Sequence, residues 1–300
     1  MYVITGATGH TGTVAAKALL ARGHSVRALG RNAARLQPLT SKGAEAFLCD
    51  VTDANRLAEA FQGAQAAYVL VPPNVSSNDF RAFQERTSDA IAAAVAKAKV
   101  KYVVSLSSVG ADQPDKVGPV VGLHNLEQKL NRIDGTNVLH LRAGYFMENT
   151  LPQVGPIQSL GTGIGPLRPD LKLPMIATRD IGAAAAEALL HLDFKGKQTQ
   201  ELLGPRDLSM TEAMTIIGMA IGRPGLGYVQ ASDEQFLAAL VQLGFSQNVA
   251  DLILEMAYAL NTGRMRALEP RSARNTTPTS YETFVVEEFV PLLKAQSTAA

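Results

Sequence analysis

Three glycines spaced G-x-x-G-x-x-G (Gly6, Gly9 and Gly12) follow a short apolar run, Tyr2 to Ile4, and lead into a helical apolar pattern at Val14, Ala15, Ala18 and Leu19. Few local patterns constrain a fold more tightly. A strand, a tight turn and a helix in this order open a parallel α/β unit whose turn cradles phosphate. Each glycine answers a separate demand. Gly6 takes a backbone conformation that a Cβ disfavours, Gly9 leaves the backbone bare for a pyrophosphate, and Gly12 lets helix pack close on strand. Thr8, His10 and Thr11 complete the loop, and the N–H groups at the start of the new helix face the phosphates together with its positive dipole end.

The alternation continues. Ser25 to Leu29, Ala44 to Cys49, Gln65 to Val71, Tyr102 to Leu106 and Val138 to Arg142 read as strands, with helical patterns at Ala54 to Phe61, Asp79 to Lys99 and Leu123 to Arg132. Strands that alternate with helices predict a Rossmann-type, doubly wound parallel sheet. The strand ends carrying Gly6, Arg31, Asp50, Pro72 and Ser107 then share one carboxyl edge, where such folds bind ligands.

An NAD-binding unit places an acidic residue near the end of its second strand to accept from the ribose 2′-hydroxyl. Here the residue is Arg31, with Arg35 one turn further on. A guanidinium suits a 2′-phosphate through charge-assisted hydrogen bonds, so NADP(H) is expected in preference to NAD(H). Arg35 reads equally well as a solvated side chain. Asp50, with Val51, is the candidate contact to the adenine end, and Asp53 reads as a helix cap. Val71 and Pro72 lie where the chain would pass the cofactor ribose, and Ser107 lies beside them. Phe80 and Phe83 read as packing residues.

Apolar residues make up 46% and charged residues 18% of the 300, with a net charge of +1. That balance gives no field to draw nucleic acid or an anionic membrane. The one cysteine, Cys49, excludes an internal disulfide and reads as a buried, inert thiol. No targeting segment, bilayer-spanning run or metal-ligand pattern is legible, and a cytoplasmic setting is expected.

After Asn149 the composition turns to Gly and Pro (Gly155, Pro156, Gly161, Gly163, Gly165, Pro166, Pro169), typical of irregular loops. The expected division is a dinucleotide-binding domain over 1–150, a smaller, mostly helical substrate region over 151–294 that partly returns to the first, and a disordered tail over 295–300. Within the second region an Ala-rich helix runs from Thr178 to Leu192, and Gln200 to Leu203 reads as a strand. Ser209-Met210-Thr211-Glu212 and Ser232-Asp233-Glu234-Gln235 read as capping boxes. The apolar helices between Glu234 and Leu260 suit either a cover for the cleft or a homodimer surface, and Tyr281 to Leu293 reads as a last helix.

These motifs together resemble the NmrA-like group of atypical short-chain dehydrogenases/reductases. The matching pieces are Gly6-Ala7-Thr8-Gly9-His10-Thr11-Gly12, Gly30-Arg31-Asn32, Ser107-Ser108-Val109-Gly110, and the helix bearing His124 and Glu127. Further matches are Leu141 to Asn149, Arg179-Asp180-Ile181 and Thr277 to Glu282. The resemblance implies one of three kinds of protein: NADPH-dependent reductases of quinones, dyes and azo compounds; isoflavone-reductase-like enzymes; or dinucleotide-sensing regulators that act on a protein partner.

Conventional relatives protonate substrate with a Tyr whose pKa is lowered by a Lys four places on. No tyrosine here has a lysine four places on, so chemistry that depends on a tyrosinate is excluded. A quinone or dye tolerates the loss, because its reduced oxygen can take a proton from water while the cofactor supplies the hydride. The expected activity is therefore hydride transfer to a small conjugated acceptor. Ser107, His124 and Tyr145 are the candidate catalytic groups, with Tyr145 reading equally as a pocket wall or a core side chain. Glu127 suits pairing with a neighbouring base, and Glu148 and Asn149 suit fixing the loop beneath the pocket.

Overall fold

The structure, a computed structural model, describes residues 1–297. Its frame is a seven-stranded sheet of β1 (Tyr2–Ile4), β2 (Val26–Gly30), β3 (Glu45–Leu48), β4 (Ala66–Val69), β5 (Tyr102–Ser108), β6 (Asn137–Ala143) and β10 (Lys197–Leu202). The order is β10-β6-β5-β4-β1-β2-β3, and every pairing in it is parallel. Parallel strands need crossovers, supplied by α1 (His10–Ala21), α2 (Ala33–Thr40), α3 (Ala54–Phe61), α4 (Phe80–Ala98) and α5 (Val120–Asn131). Because helices cover both faces, the central strands are apolar throughout: β1 and β4 bury every residue. The α/β class read from the sequence is the observed one. In detail β4 ends at Val69, short of the expected Val71, and α5 starts three residues before the expected Leu123.

One face of the sheet packs Ile4, Tyr68 and Val104 against Ala15, Leu19, Ile181 and Leu189. The last two belong to α7 (Thr178–His191). Helix α1 packs close on its own loop, where a Cβ on Gly12 would lie 2.3 Å from the Gly6 carbonyl oxygen, and α7 packs close on α1, where a Cβ on Gly182 would lie 2.6 Å from that of Thr11. The other face packs Val3, Val69, Val103 and Val138 against α3, α4 and α5.

Beyond β6 the chain builds a second core around Met147, Met175, Met214, Tyr281 and Phe284. It is made of β7 (Tyr145–Phe146), a 3₁₀ segment (Met147–Gln153), α6 (Val154–Ser159), β8 (Gly163–Gly165) and β9 (Leu173–Ile176). After α7 and β10 come β11 (Asp207–Leu208), α8 (Met210–Ala220), β12 (Tyr228–Gln230), α9 (Asp233–Gln242) and α10 (Gln247–Asn261). Both capping boxes are present, at Ser209–Glu212 and Ser232–Gln235.

The chain closes with α11 (Tyr281–Phe284), a π-helical turn (Val285–Phe289) and α12 (Val290–Ser297). Residues 295–297, expected as part of a disordered tail, thus continue the last helix, and residues 298–300 lie outside the described residues. No helix among the described residues is long and apolar enough to cross a membrane.

The segment before α11 is strapped back onto the sheet. Leu203 N–H donates to Asn275 (2.7 Å) and Thr277 N–H to Leu203 (2.8 Å). The Asp180 carboxylate accepts from Thr279 N–H at 2.9 Å and from its hydroxyl at 2.7 Å.

Helix α10 packs over the loops at the sheet's carboxyl edge. Asn248 accepts from Phe80 N–H (2.8 Å), Ser246 N–H donates to Val75 (2.9 Å), and Glu255 accepts from Gly118 N–H (2.9 Å). Phe80, Phe83, Val249 and Leu252 form a small apolar cluster beneath it. Helix α9 buries none of its residues.

Candidate active site

The glycine loop emerges from β1 with its local structure set by contacts to β4. Thr5 N–H donates to the Tyr68 carbonyl at 3.0 Å, and the Thr5 hydroxyl accepts from Leu70 N–H at 3.1 Å. Gly6 has φ +58°, a left-handed value suited to glycine. A Cβ there would also come within 3.0 Å of the Leu70 side chain. Gly9 caps α1 with no side-chain hydrogen bond to the first turn. A helix start normally satisfies its orphan donors with a capping side chain, and α2, α3 and α4 do so through Asn32, Asp53 and Asp79. Helix α1 has no such cap, and none of the described residues accepts from the N–H groups of His10, Thr11 and Gly12. The buried Thr11 hydroxyl accepts from Tyr68 Oη at 3.0 Å, tying the first turn of α1 to β4.

Arg31 and Asp50 stand exposed at the ends of β2 and β3. Thr52 holds the Asp50 carboxylate through its N–H (2.9 Å) and hydroxyl (2.7 Å). These bonds, the backbone one foremost, and the nearby Arg31 charge lower its pKa against the opposing effect of partial burial. Arg35 reaches back over the loop to the Thr8 carbonyl at 3.4 Å. Asp53 is a helix cap as read from the sequence, accepting from Asn55 and Arg56 N–H at 3.0 Å each. Val51, Val71 and Pro72 are half-buried beside these strand ends. Cys49 is buried, and burial, reinforced by Asp53 and Asp50, pushes its thiol up to about 11. The inert reading fits.

Ser107 lies at the end of β5. It is 2% exposed, and its hydroxyl donates to Glu127 Oε1 at 2.5 Å. Glu127 is in turn gripped by Arg142 through Nε (3.0 Å) and Nη2 (2.6 Å). The single hydroxyl proton of Ser107 is therefore committed to a carboxylate, so Ser107 offers an acceptor oxygen rather than an acid. Burying an ion pair is tolerable when hydrogen bonds satisfy its partners, and here Glu127 accepts through both oxygens while Arg142 donates through Nε and Nη2.

His124 is half-buried, and its Nδ1 lies 2.8 Å from the Ala111 carbonyl. A carbonyl only accepts, so Nδ1 carries a proton and Nε2 is the reactive position. Tyr145 packs against the C-terminal core, and burial pushes its phenol up to about 12. A phenol held so far up is a reluctant acid. Glu148 anchors the start of α7, accepting from the Thr178 N–H (2.9 Å) and hydroxyl (2.5 Å), and Asn149 is exposed. Glu148, Arg179 and Glu288 meet across the chain. No local pattern announced that grouping, because its members come from loop, helix and tail.

The NmrA-like family model matches residues 2–290. An NAD(P)H azoreductase from Xenophilus azovorans is 29% identical over 262 residues, covering 87% of this chain and 87% of that protein. Quinone oxidoreductase 2 from Escherichia coli is 28% identical over 268 residues, with 88% and 89% covered. Among solved structures, an NADPH-dependent quinone oxidoreductase from Escherichia coli, complexed with NADPH, superimposes with a TM-score of 0.76 at 22% identity, covering 100% of this chain and 99% of that one.

Proposed function

The chain belongs to the NmrA-like family, and from that premise we propose that it is an NADP(H)-dependent oxidoreductase that passes hydride to a small conjugated acceptor such as a quinone or dye. The observation that carries the reading is the uncapped start of α1 behind Gly6, on the edge where Arg31 stands in place of a ribose-binding acid. Relatives that share most of its length are named as an NAD(P)H azoreductase and a quinone oxidoreductase. The residues fit the group. Gly6, Gly9 and Gly12 leave room for phosphate against the backbone, and the N–H groups of His10, Thr11 and Gly12 would hold the pyrophosphate. Arg31, with Arg35, would hold the 2′-phosphate, Asp50 and Val51 would meet the adenine end, and Val71 and Pro72 would flank the ribose.

When bound, the dinucleotide supplies the hydride. The protein's own part is to hold the acceptor against it and to exclude water. In this reading Ser107, polarised by Glu127, accepts a hydrogen bond from cofactor or substrate. His124 delivers a proton only as its imidazolium, since its neutral Nε2 is an acceptor. Tyr145 is a wall.

Titration with NADPH and NADH, followed by NADPH consumption with quinones, azo dyes and triphenylmethane dyes, tests the proposal. Preferential NADPH binding with turnover of any acceptor is the expected result. Tight NADPH binding without turnover turns the reading to a cofactor sensor that regulates a protein partner, and no binding overturns both.

A further inference from the structure

A cavity of ≈ 160 Å³ lies beside the glycine loop, where the starts of α1 and α7 meet the π-helical turn. Its polar wall is His10, Glu148, Arg179 and Glu288, and its apolar wall includes Leu151 and Phe284. We propose that this cavity is a subsite for a protonated amine carried on a small aromatic or apolar group.

Three features support that chemistry. The first is size: an apolar cavity of about 150 Å³ accommodates benzene, so this one takes a single ring or a short alkyl chain. The second is charge. Arg179 is neutralised by its ion pair with Glu287, and its Nε donates to Thr279 at 3.0 Å. The carboxylates of Glu148 and Glu288 are left to set the sign. Glu148 already meets the first N–H of α7, and the free donors at the start of α1 are those assigned above to the pyrophosphate. Glu288 has neither hydrogen bond nor ion pair among the described residues. Nor is this a metal arrangement, since no group of three or more His, Cys, Asp or Glu side chains among the described residues could hold a metal ion.

The third is the backbone. Glu288 belongs to the π-helical turn Val285–Phe289, and Phe284 immediately precedes it. A π-turn inserted into a helix is rare and is frequently found at functional sites. Here it brings a free carboxylate and a buried aromatic ring, 2% exposed, onto the same cavity. An apolar group can lie along Val14 and Leu151 while its ammonium reaches the carboxylates, a cation favoured by charge.

The amine has two sources, a free ligand or an amino substituent of the acceptor; the second rests on the function proposed above. Calorimetric titration of the protein with benzylamine, benzyl alcohol and benzoate, with and without NADPH, tests the site. Benzylamine is expected to bind about tenfold or more tighter than benzyl alcohol, with benzoate weakest. Glu288→Gln is expected to weaken benzylamine about tenfold, the lower range for a hydrogen bond to a charged group, while leaving benzyl alcohol binding and Tm unchanged. Benzylamine that binds no tighter than benzyl alcohol, or that binds Glu288→Gln as it binds the parent, overturns the proposal. Benzylamine competing with the acceptor in turnover assigns the cavity to an acceptor substituent, and binding without competition assigns it to a free amine. The titration of cofactor-free protein needs no turnover, so failure to bind or consume NADPH counts against the function and not against the cavity.

Discussion

The ends of β1 and β5 lie on one edge of the same sheet and treat their polar groups in opposite ways. At the end of β1 the chain presents backbone donors and glycines, and the helix start has no side-chain cap. At the end of β5 the Ser107 hydroxyl is locked by Glu127, which is locked by Arg142. Unmet backbone donors behind a glycine loop at a strand's carboxyl end suit a ligand. A closed network of buried charges marks where the scaffold is held. The two strand ends would thus divide the work: β1 binds, and β5 with β6 fixes the floor.

The comparison breaks most visibly at Glu127. Glu127→Ala leaves Arg142 buried without its counter-charge, and a loss of about 3–5 kcal/mol is expected, read by urea unfolding. A loss below about 1 kcal/mol, the range of surface pairs, would show that the β5 end is not the scaffold described. At the β1–β2 side the effect should fall on binding instead. Arg31→Ala is expected to weaken NADPH by one to two orders of magnitude, taking a charged hydrogen bond as about 1.5–3 kcal/mol, with NADH and unfolding little changed. Equal losses for both cofactors would remove the 2′-phosphate from Arg31.

A smaller, pH-dependent effect sharpens the contrast. His140 is buried on β6 beside the Glu127–Arg142 pair, its Nε2 3.0 Å from Asn131 Oδ1. Burial lowers its pKa to about 4, with Glu127 opposing and Arg142 and Lys197 assisting. The folded state therefore holds His140 neutral where the unfolded chain takes up a proton. Stability from this group is present above the unfolded value of 6.5 and is lost as pH falls toward 4. Between pH 7 and pH 5 the loss should be about 2 kcal/mol, and His140→Gln should flatten that limb. An unchanged acid limb in the variant would assign the loss to other groups.

Much of this protein was legible along the chain. The glycine spacing, the alternation of strands and helices, the Asp53 cap and both capping boxes are local properties, in which one residue and its near neighbours settle the outcome, and the structure contains them. The motifs from Gly6 to Tyr281 likewise carried the family. Where local reading stopped short, longer contacts decided. Ser107 reads as a candidate catalytic hydroxyl at a strand end until a helix residue twenty positions away accepts its hydrogen bond. Tyr145 reads as either pocket or core until the C-terminal region closes around it and burial raises its phenol.

The division has a physical basis. The sequence alone determines what depends on backbone conformation and period: the parallel α/β frame, the bare phosphate loop, and an arginine in place of an acid after the second strand. Only the tertiary structure decides which polar groups are left over once all others have found partners. Pairing is a contest among side chains far apart in the chain. Glu127 with Arg142, Glu148 with Thr178 and Arg179 with Glu287 are its outcomes, and they leave the exposed Glu288 at the cavity without a partner among the described residues.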